Sequence, residues 1–259
     1  MNVTPGARNK RLMDMPLFMK IIDEAKTIPL INHVTITGLG ETLLDRHLDD
    51  RLRYVRQTMP PGTLLDIYTN GSQLTLERGL RLAAAGIDVI YVSLNAVNKE
   101  KRYQIMKLND YDKVAANTHL LIDKLKELES KTKVVVKAVV SKDLIEPDEY
   151  AHFMDEWGGP TDKGGNAYAH QEGNWAGIMY PMRTIPTKAC GRALNEIMVL
   201  SDGRVSLCCF DSMGDVIFGD LNTQSIREIY NDGLALEYRE AHVSGRRPEL
   251  KLCSTCTII

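Results

Sequence analysis

No cysteine occurs among the first 189 of the chain's 259 residues. A disulfide framework is therefore excluded over most of the length. The five cysteines present, Cys190, Cys208, Cys209, Cys253 and Cys256, all lie in the C-terminal part. An odd number with one C-x-x-C pair points to metal or redox chemistry instead of cross-linking. Long hydrophobic runs are lacking as well. The longest are strand-sized, such as Val134 to Val140 with Lys137 inside it, against the ~20 residues of a membrane span. The N-terminal stretch MNVTPGARNKRLMDM is positive but has no apolar core behind it, so no signal peptide and no membrane association are predicted, and a cytoplasmic location is expected. Nor is there an excess of charge. A formal net charge of −2 excludes the basic footprint of a nucleic-acid-binding protein. What remains is ordinary for a globular chain: 44% hydrophobic and 25% charged residues, in a length that can bury a substantial core.

Periodicity divides the chain into alternating helices and buried strands through residue 156. Asp14 as cap and Pro16 in the first turn open a helix with an apolar stripe of Leu17, Phe18, Ile21, Ile22 and Ala25. Strands are predicted at His33 to Thr37, Leu64 to Tyr68, Asp88 to Ser93 and Lys133 to Val140. Helices are predicted around Leu48 to Met59, from Thr75 to Gly86, from Tyr111 to Leu128 and after Pro147. This alternation predicts a parallel sheet with helical crossovers. Residues 157–189 weaken to a glycine-rich linker with at most one strand. Ile197 to Leu200 and Arg204 to Cys208 then flank Ser201-Asp202-Gly203, a hairpin signal, and helices are expected at Ser225 to Tyr230 and Leu234 to His242.

The cysteines form the pattern Cys190-x12-Gly203-x4-Cys208, a gap, then Cys253-x2-Cys256. Cys190 precedes the hairpin and Cys208 is expected to end its second strand, so folding should bring them close. Four convergent thiolates suit Zn²⁺ or an iron–sulfur cluster, and the spacing does not separate the two. Cys209, adjacent to Cys208, is expected to face away as a side-facing or core thiol.

Polar, glycine-rich clusters follow three of the strands: Gly38-Leu39-Gly40-Glu41, Thr69-Asn70-Gly71 and Ser93-Leu94-Asn95. In parallel α/β folds, ligands bind at that edge of the sheet. The first cluster is not a dinucleotide fingerprint, because Leu43 stands at the place of the third glycine. Its glycines admit a ligand close to the backbone, and Glu41 can take a hydrogen bond from an ammonium group or cap the next helix. Asn70 belongs to a tight turn. Ser93 and Asn95 alternate, so both can reach one ribose or carboxylate, or cap the following loop.

In this order, and with the cysteine pattern behind them, these motifs resemble the radical S-adenosylmethionine (SAM) superfamily, in its branch with a SPASM or twitch auxiliary-cluster domain. The resemblance covers almost the whole chain. It implies an α/β fold: a partial TIM-type (β/α)6 barrel, apparently lacking its first strand, with a small C-terminal hairpin-plus-helix module. It implies a barrel over residues 1–160, a linker with the last barrel elements over 161–189, and an iron–sulfur module over 190–259. Carried over residue by residue, Gly40 and Glu41 would engage the amino group of SAM through backbone and side chain, with Gly38 among the cofactor-binding residues. Ser93 and Asn95 would bind its ribose or carboxylate, with Asn70 in the same mouth. Cys190, Cys208, Cys253 and Cys256 would ligate an auxiliary 4Fe–4S cluster. The implied activity is generation of a 5′-deoxyadenosyl radical that takes hydrogen from a peptide, sugar or other small substrate, with flavodoxin or ferredoxin as electron donor.

Two departures stand out. Thr42 follows Glu41 where the family has proline, a small change. The larger one is the family's C-x3-C-x2-C loop, which carries a second 4Fe–4S cluster and is missing. It would stand between a first strand and the first helix, and this chain opens on a helix. An upstream segment cut off by a start or fragment boundary is expected, in preference to natural loss, and the chain as given is expected to be inactive without it. Asn174-Trp175-Ala176-Gly177 looks like a segment of relatives that modify peptides or sugars, and Lys137 and His170 are candidate mouth residues. The alternatives are a non-enzymatic zinc or iron–sulfur scaffold, or a degenerate radical SAM homologue.

Overall fold

A computed structural model describes residues 12–38, 40–140, 146–171, 187–211 and 213–257. By their contacts they form two units, one over Ile28–Glu172 and one uniting Asn2–Thr27 with Gly173–Ile259.

The first unit is built on five parallel strands in the order β1 (His33–Ile36), β2 (Leu64–Thr69), β3 (Val89–Ser93), β4 (Lys133–Val140) and β5 (Ala167–Gln171). Each strand pairs with the next in sequence, so the sheet advances one strand per crossover. The crossovers carry α2 (Leu48–Thr58), α3 (Leu76–Ala84), α4 (Lys99–Met106), α5 (Tyr111–Glu127) and α6 (Pro147–Glu156). This is the expected α/β architecture, with an open sheet whose outer strands β1 and β5 do not pair with each other.

Alternation along the strands separates two faces. Ile67, Ile90, Val92, Val136 and Ala138 on one face are fully buried, as are Leu52, Val55, Leu82, Val114 and Leu121 of the helices. Burying side chains of this size stabilises by ~1.5–3 kcal/mol each, which makes this layer the core of the unit. The other face is polar and aromatic, and the register aligns Asp66 with Thr35 and Val89, Tyr68 with Tyr91, and Ser93 with Lys137 and Tyr168.

Turn chemistry sets the strand ends. Thr75 caps α3 by accepting the amide of Arg78 at 3.1 Å. Gly71, just past β2, holds φ +82° and sits where an added Cβ would lie 2.5 Å from Cγ1 of Val114 and 3.2 Å from Cγ1 of Val92. Neither the backbone nor the space admits a side chain. Gly71→Ala should therefore lower stability by about 2–3 kcal/mol, from overpacking and left-handed strain together. The urea midpoint of the variant measures it, and an unchanged midpoint contradicts the tight packing.

The second unit contains a three-stranded antiparallel sheet of β6 (Met198–Val199), β7 (Arg204–Ser206) and β8 (Ile217–Asp220). Its helices are α7 (Gly191–Asn195), α8 (Ile226–Asn231) and α9 (Gly233–Val243), together with α1 (Met15–Ala25). The hairpin turn is as expected, with Gly203 at φ +94° and its amide on the carbonyl of Leu200 at 3.0 Å. Asp14 caps α1 by accepting from the amide of Leu17 at 2.9 Å. Polar hooks hold α1 among C-terminal residues. Lys20 donates to the carbonyl of Leu221, Glu24 accepts the amide of Ile226 at the start of α8, and Arg227 donates to the carbonyl of Thr27 at 2.9 Å.

Candidate functional site

The strand-end motifs of the first unit are joined by hydrogen bonds into one arrangement. Glu41 follows β1 and caps a 3-10 turn, Thr42–Leu44, by accepting the amide of Leu43 on Oε1 at 3.0 Å. The same oxygen accepts the hydroxyl of Thr69, and Oε2 accepts the amide of Asn70 at 2.7 Å. A carboxylate offers about four acceptor positions, so one on Oε2 remains for a further donor. The sequence left open whether Glu41 starts a helix or receives a ligand. It starts the turn, ties β1 to the tip of β2, and keeps an acceptor in hand.

Asn70 is held from three sides. Its Oδ1 accepts the amide of Ser72 at 2.9 Å, its amide meets Glu41, and its carbonyl accepts Nη2 of Arg102 at 2.8 Å. Arg102 of α4 is fully buried and also donates from Nη1 to the carbonyl of Leu94 at 2.9 Å and from Nε to Asp110 at 2.7 Å. It thus clamps the tip of β2 to the tip of β3, between the residues predicted to contact the cofactor. Sequence reasoning missed both Arg102 and its helix. Asp110 accepts Ser72 as well, and these hydrogen bonds hold its carboxyl below the usual range although burial, the largest influence, pushes it up.

Ser93 and Asn95 stand on either side of buried Leu94. Asn95 takes φ +55°, a conformation asparagine tolerates better than most residues. Its amide donates to the carbonyl of Lys137 at 2.8 Å, fixing the tip of β3 to β4. Among the described residues, neither side chain has a hydrogen-bond partner. Gly38 and Gly40 are open in the same way: no described atom lies within 4 Å of where a Cβ would sit on either, and neither has positive φ. Their lack of side chains is thus not required by packing among the described residues. It leaves backbone open to a ligand.

Below this rim the polar face carries Lys137, with Nζ 4.7 Å from the ring centre of Tyr68, 5.3 Å from Tyr168 and 5.6 Å from Tyr91. Tyr68 and Tyr91 stack at 4.6 Å. Lys137 therefore faces the aromatic side of the sheet, which the sequence had left undecided. His33 lies 2.6 Å from Oδ2 of Asp66, while Oδ1 of Asp66 is buried without a described partner. Burial, followed by the charges of Asp66 and Tyr168, raises the pKa of Tyr91. The side chain of His170 and the segment Asn174 to Gly177 lie outside the described residues.

The second site lies in the C-terminal unit. Cys190, Cys208, Cys253 and Cys256 line one cavity together with Arg192, Phe210 and Arg247. Cys190 precedes α7, and Cys253 opens a 3-10 turn, Cys253–Thr255. Arg247 is buried and holds that loop by donating to the carbonyls of Cys256 at 2.8 Å and Cys253 at 3.4 Å. Leu252, at φ +66°, turns the chain into it. One expectation needs correction: Cys208 does not end a strand. β7 stops at Ser206, and a bulge between Val205 and Ser206 shifts the register with β8. Cys208 and Cys209 then lie in a turn organised by Asp211, whose carboxylate accepts the amides of Asp215 and Val216 at 2.8 Å and 3.1 Å. Cys209 receives Nη1 of Arg192 at 3.4 Å and does not line the cavity.

All five cysteines are free. Burial pushes the thiols of Cys208 and Cys253 up to about 12; repulsion from Cys208, Cys256 and Cys190 adds to the effect at Cys253, and from Cys209 and Cys256 at Cys208. Without a cation these sulfurs stay protonated. A soft metal centre would relieve both the burial and the repulsion, so the donor set fits such a group. Among the described residues no group of three or more His, Cys, Asp or Glu side chains is placed to hold a single metal ion. No described helix is long and apolar enough to cross a membrane.

The family model described as the radical SAM superfamily matches residues 3–141, and one described as an iron–sulfur cluster-binding domain, SPASM, matches residues 190–257. A tungsten-containing aldehyde ferredoxin oxidoreductase cofactor-modifying protein of Pyrococcus furiosus is 35% identical over 85 residues, 33% of this chain and 23% of that protein. The SAM-dependent 2-deoxy-scyllo-inosamine dehydrogenase of Niallia circulans is 22% identical over 94% of this chain and 80% of its own length. Among solved structures, BtrN in complex with AdoMet and 2-DOIA superposes with a TM-score of 0.65 at 18% identity, covering 99% of this chain and 85% of that one.

Proposed function

The chain belongs to the radical SAM superfamily, and from that premise we propose that its first unit seats SAM at the strand tips while its four cavity cysteines hold an auxiliary 4Fe–4S cluster. SAM and an iron–sulfur cluster are the cofactors that go with its two matched domains. The observation that carries the reading is the hydrogen-bonded rim. Glu41, Asn70 and Arg102 join the ends of the first three strands, while a carboxylate acceptor, the Ser93 and Asn95 side chains and two uncovered glycines remain open.

When bound and reduced by one electron from a cluster on the family's C-x3-C-x2-C loop, SAM would supply methionine and a radical able to take a hydrogen atom from substrate, and the auxiliary cluster would supply an acceptor for the electron left behind. The chain's own residues do the rest. Glu41 receives the amino group of SAM with its remaining acceptor, and Gly38 and Gly40 let that group approach the backbone. Ser93 and Asn95 hold the ribose or carboxylate, and Asn70 lines the same mouth. The tyrosines around Lys137 form a wall that combines apolar faces with polar tips, suited to a peptide, sugar or other small polar substrate. An electron donor of the flavodoxin or ferredoxin type would reduce the cluster on that C-x3-C-x2-C loop, which these 259 residues do not carry.

Binding is the test suited to these 259 residues, since no cysteine precedes Cys190 to supply the family's three-thiolate loop. Anaerobic reconstitution with iron and sulfide should give a brown protein absorbing near 400 nm, with about four irons per chain. Equilibrium dialysis should detect SAM binding that Glu41→Ala weakens at least tenfold. A colourless protein with stoichiometric zinc, or SAM binding indifferent to Glu41, overturns the proposal.

A further inference from the structure

We infer that His242 tunes the auxiliary cluster, donating a hydrogen bond from Nε2–H to the sulfur of Cys253; the inference rests on the four-cysteine reading above. His242 lies on α9, outside every motif that the sequence singled out, and is 1% exposed. Its Nδ1 accepts the backbone amide of Cys190 at 3.2 Å. An imidazole nitrogen that accepts from an amide carries no proton, so in this geometry the ring is neutral and its proton sits on Nε2. That nitrogen lies 3.4 Å from Sγ of Cys253. The ring therefore connects two cysteines 63 positions apart in sequence, orienting one through its backbone and polarising the sulfur of the other.

The direction of the effect follows from charge. Adding an electron to a thiolate-bound cluster increases the negative charge on its sulfurs. An N–H dipole aimed at one of them stabilises the reduced state more than the oxidised state and raises the reduction potential. Cys190, Cys208 and Cys256 have no such imidazole contact among the described residues, so the effect falls on Cys253. A cluster easier to reduce is a better acceptor for the single electron that remains when a substrate radical is oxidised.

The test uses the full chain, reconstituted anaerobically and titrated reductively with dithionite under EPR detection. In His242→Leu, iron content should match the parent protein, while the equilibrium constant for one-electron reduction falls about tenfold, equivalent to about 59 mV. His242→Gln, whose amide N–H can donate again, should recover at least part of that shift. A measurement on the parent protein needs no variant. With ¹⁵N-labelled histidine, pulsed EPR of the reduced cluster should reveal a coupled histidine nitrogen. The inference is overturned if His242→Leu keeps full iron at the parent potential, or if no nitrogen coupling appears in an iron-loaded parent. If the parent takes up zinc or no metal, the four-cysteine reading falls, and this one with it.

Discussion

Replacing Cys253 by alanine should reduce reconstituted iron from about four per chain to below one, while Cys209→Ala keeps the full complement. Both residues are half-buried or buried thiols in the same unit, and both are raised in pKa by burial. They differ in position. Cys253 lines the cavity with Cys190, Cys208 and Cys256, whereas Cys209 is turned onto Arg192. A merely structural thiol would give similar results at the two sites. Loading also has to remove a proton from each ligand sulfur. With the Cys208 and Cys253 thiols pushed up to about 12, that cost rises as the pH falls, so iron retention should weaken steadily toward acid pH. The loss should extend to stability. Cys190 and Cys253 sit within the unit's apolar core beside Leu207, Tyr238 and Ala241, so the bound centre cross-links the packing itself. Iron assay and limited proteolysis of the reconstituted variants measure both effects. Equal iron in Cys253→Ala and Cys209→Ala would remove Cys253 from the ligand set.

Local chemistry was legible in the sequence where it acts over a few residues. The Asp14 cap with Pro16, the helix start at Thr75, the turn at Gly71 and the hairpin at Gly203 are set by side chains or φ values next to the backbone they control. The parallel sheet followed from alternation, because each buried strand and its helix make one crossover. The rest depends on partners distant in sequence. Nothing in Lys99-Glu100-Lys101-Arg102 distinguishes a buried arginine from a solvated helix face. Its burial is made by carbonyls of Asn70 and Leu94, which only the parallel register brings within reach. β8 was missed because Ile217 to Asp220 is short, contains glycine and carries an extra residue, Phe218, between its pairings with Val205 and Ser206. β7 ends at Ser206, two residues short of Cys208. Glu41 was recognised as important, but its hydrogen bonds to Thr69 and Asn70 come from a strand tip 28 and 29 residues away.

Arg102→Leu should cost about 3–5 kcal/mol of stability in the first unit, the range for removing one member of a buried charged network. The loss has two sources. Asp110 keeps its charge without its main partner, and the carbonyls of Asn70 and Leu94 lose their donors in a buried setting. Arg102→Lys separates charge from geometry. A lysine keeps the positive charge but lacks the planar fork that reaches three acceptors at once, so it should recover the pairing with Asp110 and at most one carbonyl. If the clamp orients the strand tips, Arg102→Lys should regain most of the stability yet still bind SAM about tenfold more weakly, because Asn70 and Ser93 are no longer held in register. A residue that only supported packing would restore both together. The cysteine site provides an internal control: it lies in the other unit, so iron content should be unchanged in both variants. Denaturant unfolding, SAM dialysis and iron assay on the same preparations therefore separate orientation of the rim from general loss of fold. SAM affinity that follows stability across the two variants would reduce Arg102 to a packing residue.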